Sequence, residues 1–258
     1  MPFNLILISL FSLVRKETIR IFRIWSQTLL PPVITQSLYF VIFGGLIGSR
    51  VVGFEKYGGY MSFLVPGIVM MSVITASYSN VVSSFFGAKF MKNYEEIIVS
   101  PTPTWVILVG YSFGGVIRGV MVGLLVFLVS ILMVKPVISN LFVIIVFTLL
   151  TSSAFALGGF LNSLFATKFD DVQIIPTFVL TPLTYLGGVF YATSTLPEFW
   201  QGVSRINPIV YMIDGFRYGF YGFSEYSIWT NLGILLAFNI IFFSINWYLI
   251  NKGYGLRK

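Results

Sequence analysis

The chain has 258 residues, of which 57% are hydrophobic and 18% aromatic but only 10% charged, with a mean hydropathy of +0.90. An average soluble domain is about 25% charged, so this composition excludes both a soluble globule and a disordered chain and assigns the protein to a bilayer. Neither Cys nor His occurs, which removes thiol nucleophiles, disulfides, imidazole bases and zinc sites built on those ligands.

The first element is amphipathic. Residues 4–14 have the apolar length of a signal peptide, but no basic residue precedes them and no small-residue cleavage site follows, so no cleavage is expected. Over about residues 8–25, Ser9, Ser12, Lys16, Arg20, Arg23 and Gln27 share one helical face, while Leu10, Phe11, Val14, Thr18, Ile21 and Trp25 share the other. Such a helix either lies along the membrane surface, cations against anionic lipid, or packs on the helical bundle.

A bilayer core of about 30 Å needs about 20 apolar residues per helix. Uncharged stretches of that length run over 27–48, 63–86, 141–165, 172–192 and 229–250, and a sixth, 105–133, is interrupted only by Arg118. The expected fold is all-α: six transmembrane helices in a single membrane domain spanning residues 1–258.

Between the second and third spans lies A-K-F-M-K-N-Y-E-E-I-I-V-S-P-T-P, residues 88–103. Its charged part can be helical, Ile97, Ile98 and Val99 offer an apolar contact, and Pro101 and Pro103 end it. It is either a short helix on which a motor protein pushes or a solvated turn. In the third span, Arg118 is either a pathway or anion-recognition group, or a cation reaching a helix-end carbonyl or a carboxylate such as Glu95 or Glu96. The same span carries Gly110 and Gly114, then Gly115, Gly119 and Gly123, two series at four-residue spacing that suit a dimer seam or close packing within one subunit.

The segment 193–228 contains Glu198, Arg205, Asp214, Arg217 and Glu225, too many charges for a lipid-exposed span. A re-entrant or surface-lying helical hairpin over about 196–223 is expected instead. Asn207 as cap and Pro208 at the first helical position start a helix, on which Tyr211, Asp214 and Arg217 recur every three residues and the last two can pair.

An even number of spans puts both termini on one side. The flanks on that side carry ten basic residues (Arg15, Lys16, Arg20, Arg23, Lys89, Lys92, Lys168, Lys252, Arg257 and Lys258) and the opposite flanks five (Arg50, Lys56, Lys135, Arg205 and Arg217), so both termini should be cytoplasmic. The net charge of +7 therefore reads as topology and not as a nucleic-acid surface. All nine acids fall outside the spans in this topology, leaving no intramembrane carboxylate for a proton-coupled carrier; Na⁺ coupling through carbonyls freed by Pro176 and Pro182 stays open. No G-x-x-x-x-G-K-[ST] loop is present and no soluble segment is long enough for a nucleotide-binding domain, so any motor is another chain.

These segments, in this order within a chain lacking its own ATPase, resemble the ABC-2 family of ABC transporter permeases. The stretches that carry the resemblance begin at Arg23 (R-I-W-S-Q-T-L-L-P-P-V-I-T), Ser84 (S-F-F-G-A-K-F), Pro176 (P-T-F-V-L-T-P-L-T-Y-L-G-G-V-F-Y) and Asn207 (N-P-I-V-Y-M-I-D-G-F-R-Y-G), and the last holds an N-P-x-x-Y-x-x-D-x-x-R pattern at Asn207, Pro208, Tyr211, Asp214 and Arg217. The resemblance runs nearly end to end.

It implies a transport permease, not an enzyme, in a bacterial inner membrane. Two copies, expected to be identical, would form the pathway, with two ABC ATPase subunits docked on the cytoplasmic side and lipid around them. ATP is used by the partner, and no cofactor belongs to this chain. The family's coupling helix maps onto 89–99, with Lys89, Lys92, Tyr94, Glu95, Glu96 and Ile97 as the ATPase-coupling residues. Its interface helix maps onto the segment ending near Trp25, and its re-entrant outer gate onto 196–223. The alternatives from sequence are a carrier or channel working alone and a membrane scaffold. The cargo is not legible: abundant Phe and Met suit an amphipathic molecule but also suit lipid contact and helix packing.

Overall fold

The computed structural model describes residues 2–255, except the side chains of Ser49, Ile97 and Ile98. Arg257 and Lys258, counted above among the cytoplasmic cations, and the side chain of Ile97 therefore lie outside the described residues. Among those described, regular structure is helical throughout.

Five helices are long and apolar enough to cross a membrane: α2 (Trp25–Ile47), α3 (Tyr60–Phe90), α5 (Thr104–Ile131), α6 (Leu141–Phe165) and α10 (Ile228–Lys252). They precede or overlap the expected spans to within a turn. Ahead of them runs α1 (Phe3–Arg23), which breaks at Ile24. A short α4 (Tyr94–Val99) joins α3 to α5, so the expected 89–99 element is helical in its own right only over its second half, Lys89 and Phe90 being the end of α3.

The expected span over 172–192 is helical only in part. Its helical run, α7 (169–185), starts at Phe169, where the Asp171 carboxylate accepts from the Thr167 and Lys168 N–H groups, and continues through a π-helical turn at Pro176–Leu180 to Tyr185. Pro182 cannot donate to the carbonyl four residues before it, which favours the widened turn. The three segments of 7, 5 and 5 residues rise about 25 Å, less than a bilayer core. Residues 186–192 turn back, with Gly188 at φ 78°, a conformation that a Cβ disfavours. Two further helices follow, α8 (Glu198–Ile206) and α9 (Pro208–Tyr221), hinged at Asn207 where 196–223 was expected to form a hairpin.

The core is built around α3, which is buried along nearly its whole length by α5, α6 and α9, whereas α2 and α10 leave most of their surface uncovered. Both glycine series of α5 are consumed inside the subunit. A Cβ at Gly110 would stand 2.7 Å from Leu13, and one at Gly114 2.7 Å from Glu17, so this face receives α1. Gly115 faces Ala156, Val81 and Ser77, Gly119 faces Ser77 and Ser152, and Gly123 faces Val73, so the other face receives α3 and α6. These glycines let backbones approach closely, and the dimer-seam alternative is excluded.

The packing of α1 corrects the helical-wheel reading. Its inward stripe is Leu10, Leu13, Glu17 and Ile21, with Glu17 and Ile21 at 0% exposure. Arg20 does not face lipid: it donates to the Asn80 carbonyl (3.0 Å) and to Asn80 Oδ1 (2.9 Å). Of the two readings, packing on the bundle is the one observed.

Candidate functional site

The end of the bundle nearest the C-terminus carries α4 and a cleft of about 850 Å³, walled by Lys89, Lys92, Tyr94, Glu95, Thr104 and Asn251 among others. Three ties hold its frame. Lys89 Nζ donates to the carbonyls of Ser163 (3.4 Å), Leu164 (2.6 Å) and Ala166 (2.9 Å), satisfying the open C-terminus of α6. Thr104 Oγ1 donates to Asn251 Oδ1 at 2.6 Å, joining the start of α5 to the end of α10. Phe169 packs edge-on to Phe86 and against Phe90, joining α7 to α3.

Within this frame the six sequence-expected coupling residues separate. Lys89 is a structural cap of α6. Lys92 is exposed and turns the chain in the left-handed region, φ 59°, which makes the corner before α4. Tyr94 is half-buried against the second core cluster of α3, α5 and α6. Glu95 and Glu96 are exposed in the first turn of α4, where the helix dipole favours acids, and Val99, Phe90 and Met91 expose apolar surface beside them. This is an acidic and apolar tip on a short helix.

Behind the tip lies a buried polar cluster that the sequence reading missed. Glu17 Oε1 accepts from Ser84 Oγ (2.7 Å), and its Oε2 pairs with Arg20 (3.2 Å), which in turn holds Asn80. Lys16 Nζ donates to the Tyr111 hydroxyl at 3.3 Å. One carboxylate thereby locks α1 to α3. The legible signal was the match of Leu13 and Glu17 with Gly110 and Gly114, four apart on each helix.

Arg118 reaches a backbone carbonyl in the first turn of α2. Its Nε and one terminal nitrogen donate to the Thr28 carbonyl at 3.2 and 3.0 Å. Thr28 lies four residues before Pro32, which has no N–H to offer, so the guanidinium supplies the donor that proline removes. Neither Glu95 nor Glu96 is its partner.

At the opposite end, the N-P-x-x-Y-x-x-D-x-x-R residues form a hub. Asn207 Oδ1 accepts from the Ile209 N–H (3.0 Å), capping α9 behind Pro208, while its Nδ2 donates to the Leu183 carbonyl on α7 (2.7 Å). The Tyr211 hydroxyl donates to the Arg205 carbonyl at the end of α8 (2.7 Å). Asp214 accepts from the Glu225 and Tyr226 N–H groups (2.9 and 3.0 Å) and from Asn231 Nδ2 on α10 (2.9 Å). Arg217 donates to the Gly188 carbonyl (2.9 Å) and lies 4.0 Å over the Phe63 ring of α3.

Asp214 and Arg217 do not form the expected contact pair, since each is drawn to a different segment. Both are buried, at 3% and 4% exposure, as is Glu17, although none of the three lies in a membrane-crossing helix. The Asp214 and Glu225 carboxylates face the Arg217 guanidinium and offset its charge without touching it. Nearby, the Tyr39 and Tyr185 hydroxyls share a 2.7 Å hydrogen bond that ties α2 to α7.

A family model described as ABC-2 type transporter matches residues 8–221, which makes this helical bundle a transport subunit of the ABC-2 class. The chain belongs to that family. It is 54% identical over 251 residues to the inner membrane transport permease YadH of Escherichia coli K12, covering 97% of this chain and 98% of that protein. It is also 26% identical over 219 residues to nodulation protein J of Rhizobium meliloti, covering 81% and 78% of the two chains. With five apolar helices, it is a multi-pass inner-membrane permease, which is not itself an enzyme.

Proposed function

We propose that this chain is the membrane half of an ATP-driven exporter, working as two copies with two separate ATPase subunits bound on the cytoplasmic side. In this arrangement both termini and α4 face the cytoplasm, α7 crosses the bilayer with the turn at 186–192 completing its path, and the α8–α9 pair dips in from the outer surface as a gate. The observation that carries the reading is α4. It hangs between α3 and α5, its Glu95, Glu96 and Val99 are exposed, and a large cleft separates it from α10. Membership of the ABC-2 type transporter family supports this reading over a carrier working alone and over a scaffold.

Force applied at α4 reaches α3 and α5 through the chain itself. It reaches α1 through Glu17, which Ser84 of α3 holds, and α6 through Lys89, which extends from α3 to the last carbonyls of α6. ATP-driven closure of the motors would thereby move α1, α3, α5 and α6 as one body, while α2 and α7 are less tightly held. The test is tagged purification in mild detergent with mass determination. A two-plus-two complex is expected, and the Glu95→Gln/Glu96→Gln double variant should lose most of its ATPase subunit while remaining folded. Unchanged co-purification of that variant would sink the assignment of α4 as the docking element, and recovery of the permease alone would sink the exporter reading.

A further inference from the structure

Away from α4, at the opposite end, a second cleft of about 370 Å³ opens between α8 and the loops at 56–57 and 223–226. Two of the five basic residues at that end, Lys56 and Arg205, line it, and neither has an acidic partner within ion-pair distance among the described residues. Lys56 Nζ sits 4.8 Å over the Tyr57 ring and 5.4 Å over the Phe223 ring, which fixes the ammonium at the cleft wall. Glu225 also lines the cleft, but its carboxylate already accepts the Thr193 hydroxyl. The motif residues hold the far wall: Asp214 pins the Glu225 and Tyr226 backbone, and Tyr211 packs on Tyr226 at 4.9 Å while bonding the Arg205 carbonyl.

The position of α8 gives the depth of this cleft. Gln201 and Arg205, one turn apart, look into it, while Phe199 and Ile206 are 72% and 84% exposed on the other face and Trp200 is 46% exposed at its edge. A helix with that division lies at a membrane interface, aromatic side outward. The cleft on its inner side is then at headgroup level, with a net positive lining from Lys56 and Arg205 against Glu225, while the Gln201 amide is tied to the Ser194 and Leu196 carbonyls and shapes the wall.

We propose that this cleft binds a phosphate group at the membrane surface, held between Lys56 and Arg205, the carrier of that phosphate being the headgroup of an amphiphile whose chains run past Phe199 and Ile206. The inference is independent of how α4 is used. It assigns the N-P-x-x-Y-x-x-D-x-x-R residues a task, the building of this cleft's wall.

The test uses the full-length protein in detergent, titrated in native mass spectrometry with dioctanoyl phosphatidylglycerol, with uncharged dioctanoylglycerol, and with inorganic phosphate. The Lys56→Gln/Arg205→Gln protein should bind the phospholipid at least tenfold more weakly than the unmodified chain, with dioctanoylglycerol unaffected. The charge-keeping Lys56→Arg/Arg205→Lys protein should retain binding within about threefold. Equal phospholipid binding by the Gln variant overturns the proposal, as do dioctanoylglycerol bound as tightly as the phospholipid and loss of binding in the charge-keeping variant. Inorganic phosphate bound as tightly as the phospholipid, and lost in the Gln variant, overturns the lipid source and assigns the cleft to free phosphate.

Discussion

Several buried polar side chains in this permease serve specific backbone groups. Asp214 is the densest case, with three donors on one carboxylate at 3% exposure. Asp214→Ala would strand three donors, each costing about 1–3 kcal/mol, so a drop in melting temperature larger than for any exposed acid is expected in detergent. Differential scanning fluorimetry on Asp214→Ala beside Glu96→Ala checks this. At the other end Asp171 accepts from the Thr167 N–H and hydroxyl and the Lys168 N–H, bonds that hold its carboxyl at about 2, below the ordinary 3.8. A lowered carboxylate stabilises the fold fully above the ordinary value and ceases to as pH falls through the lowered one. The melting-temperature difference between the unmodified chain and Asp171→Asn should therefore be constant from pH 8 to 5 and shrink between about 4 and 2. A difference that grows on acidification would refute the cap. Spacing foretold that Asp214 and Arg217 share a helix face; it did not foretell that each would find a nearer partner off the helix.

Helices, by contrast, were legible wherever lipid selects for uninterrupted apolar length. The spans at α2, α3, α5, α6 and α10 emerged from composition because every residue facing acyl chains must be apolar. What composition concealed was rotation. Glu17 reads as one more polar residue of a surface helix until Gly110 and Gly114 are seen to make room for Leu13 and Glu17. The end of α7 was misplaced for a related reason: residues 186–192 are apolar enough for a span but are folded back by the Gly187–Gly188 turn. Two glycines separate packing from propensity. At Gly114 a Cβ meets Glu17 at 2.7 Å, whereas at Gly45 nothing lies within 4 Å. Gly114→Val should lower the melting temperature and loosen α1, seen as faster proteolysis after Arg20 or Arg23, by overpacking of about 1–3 kcal/mol. Gly45→Ala should be neutral in both measurements.

For the molecule as a whole, rigidity is unevenly shared. A block of α1, α3, α5, α6 and α9 is joined by buried hydrogen bonds and glycine contacts, while α2 is bonded to it through Arg118 and α7 through Asn162 and Asn207, and the Tyr39–Tyr185 bond joins α2 and α7 to each other. Both of these peripheral helices contain a π-helical stretch, Phe40–Ile47 and Pro176–Leu180. Such stretches are common where helices flex or bind. On the proposed transport cycle, α2 and α7 are the elements expected to move. Removing the Tyr39–Tyr185 bond by Tyr185→Phe should raise hydrogen exchange in α7 more than in α3 or α6. Equal change across all three would show that the bond holds the body and not the mobile pair.

The grip of Arg118 on the Thr28 carbonyl also sets an order of events during synthesis. A lone arginine near the middle of a span opposes insertion by about 2.5–3.5 kcal/mol, and its partner carbonyl belongs to a helix made some ninety residues earlier. The expected order is that the first span stays beside the insertion channel until the third one leaves the ribosome. A chain begun at residue 50 should release its Arg118 segment into the bilayer poorly, and an Arg118→Leu change should restore it, so the proline pair at 31–32 acts as a receipt point for a helix not yet made.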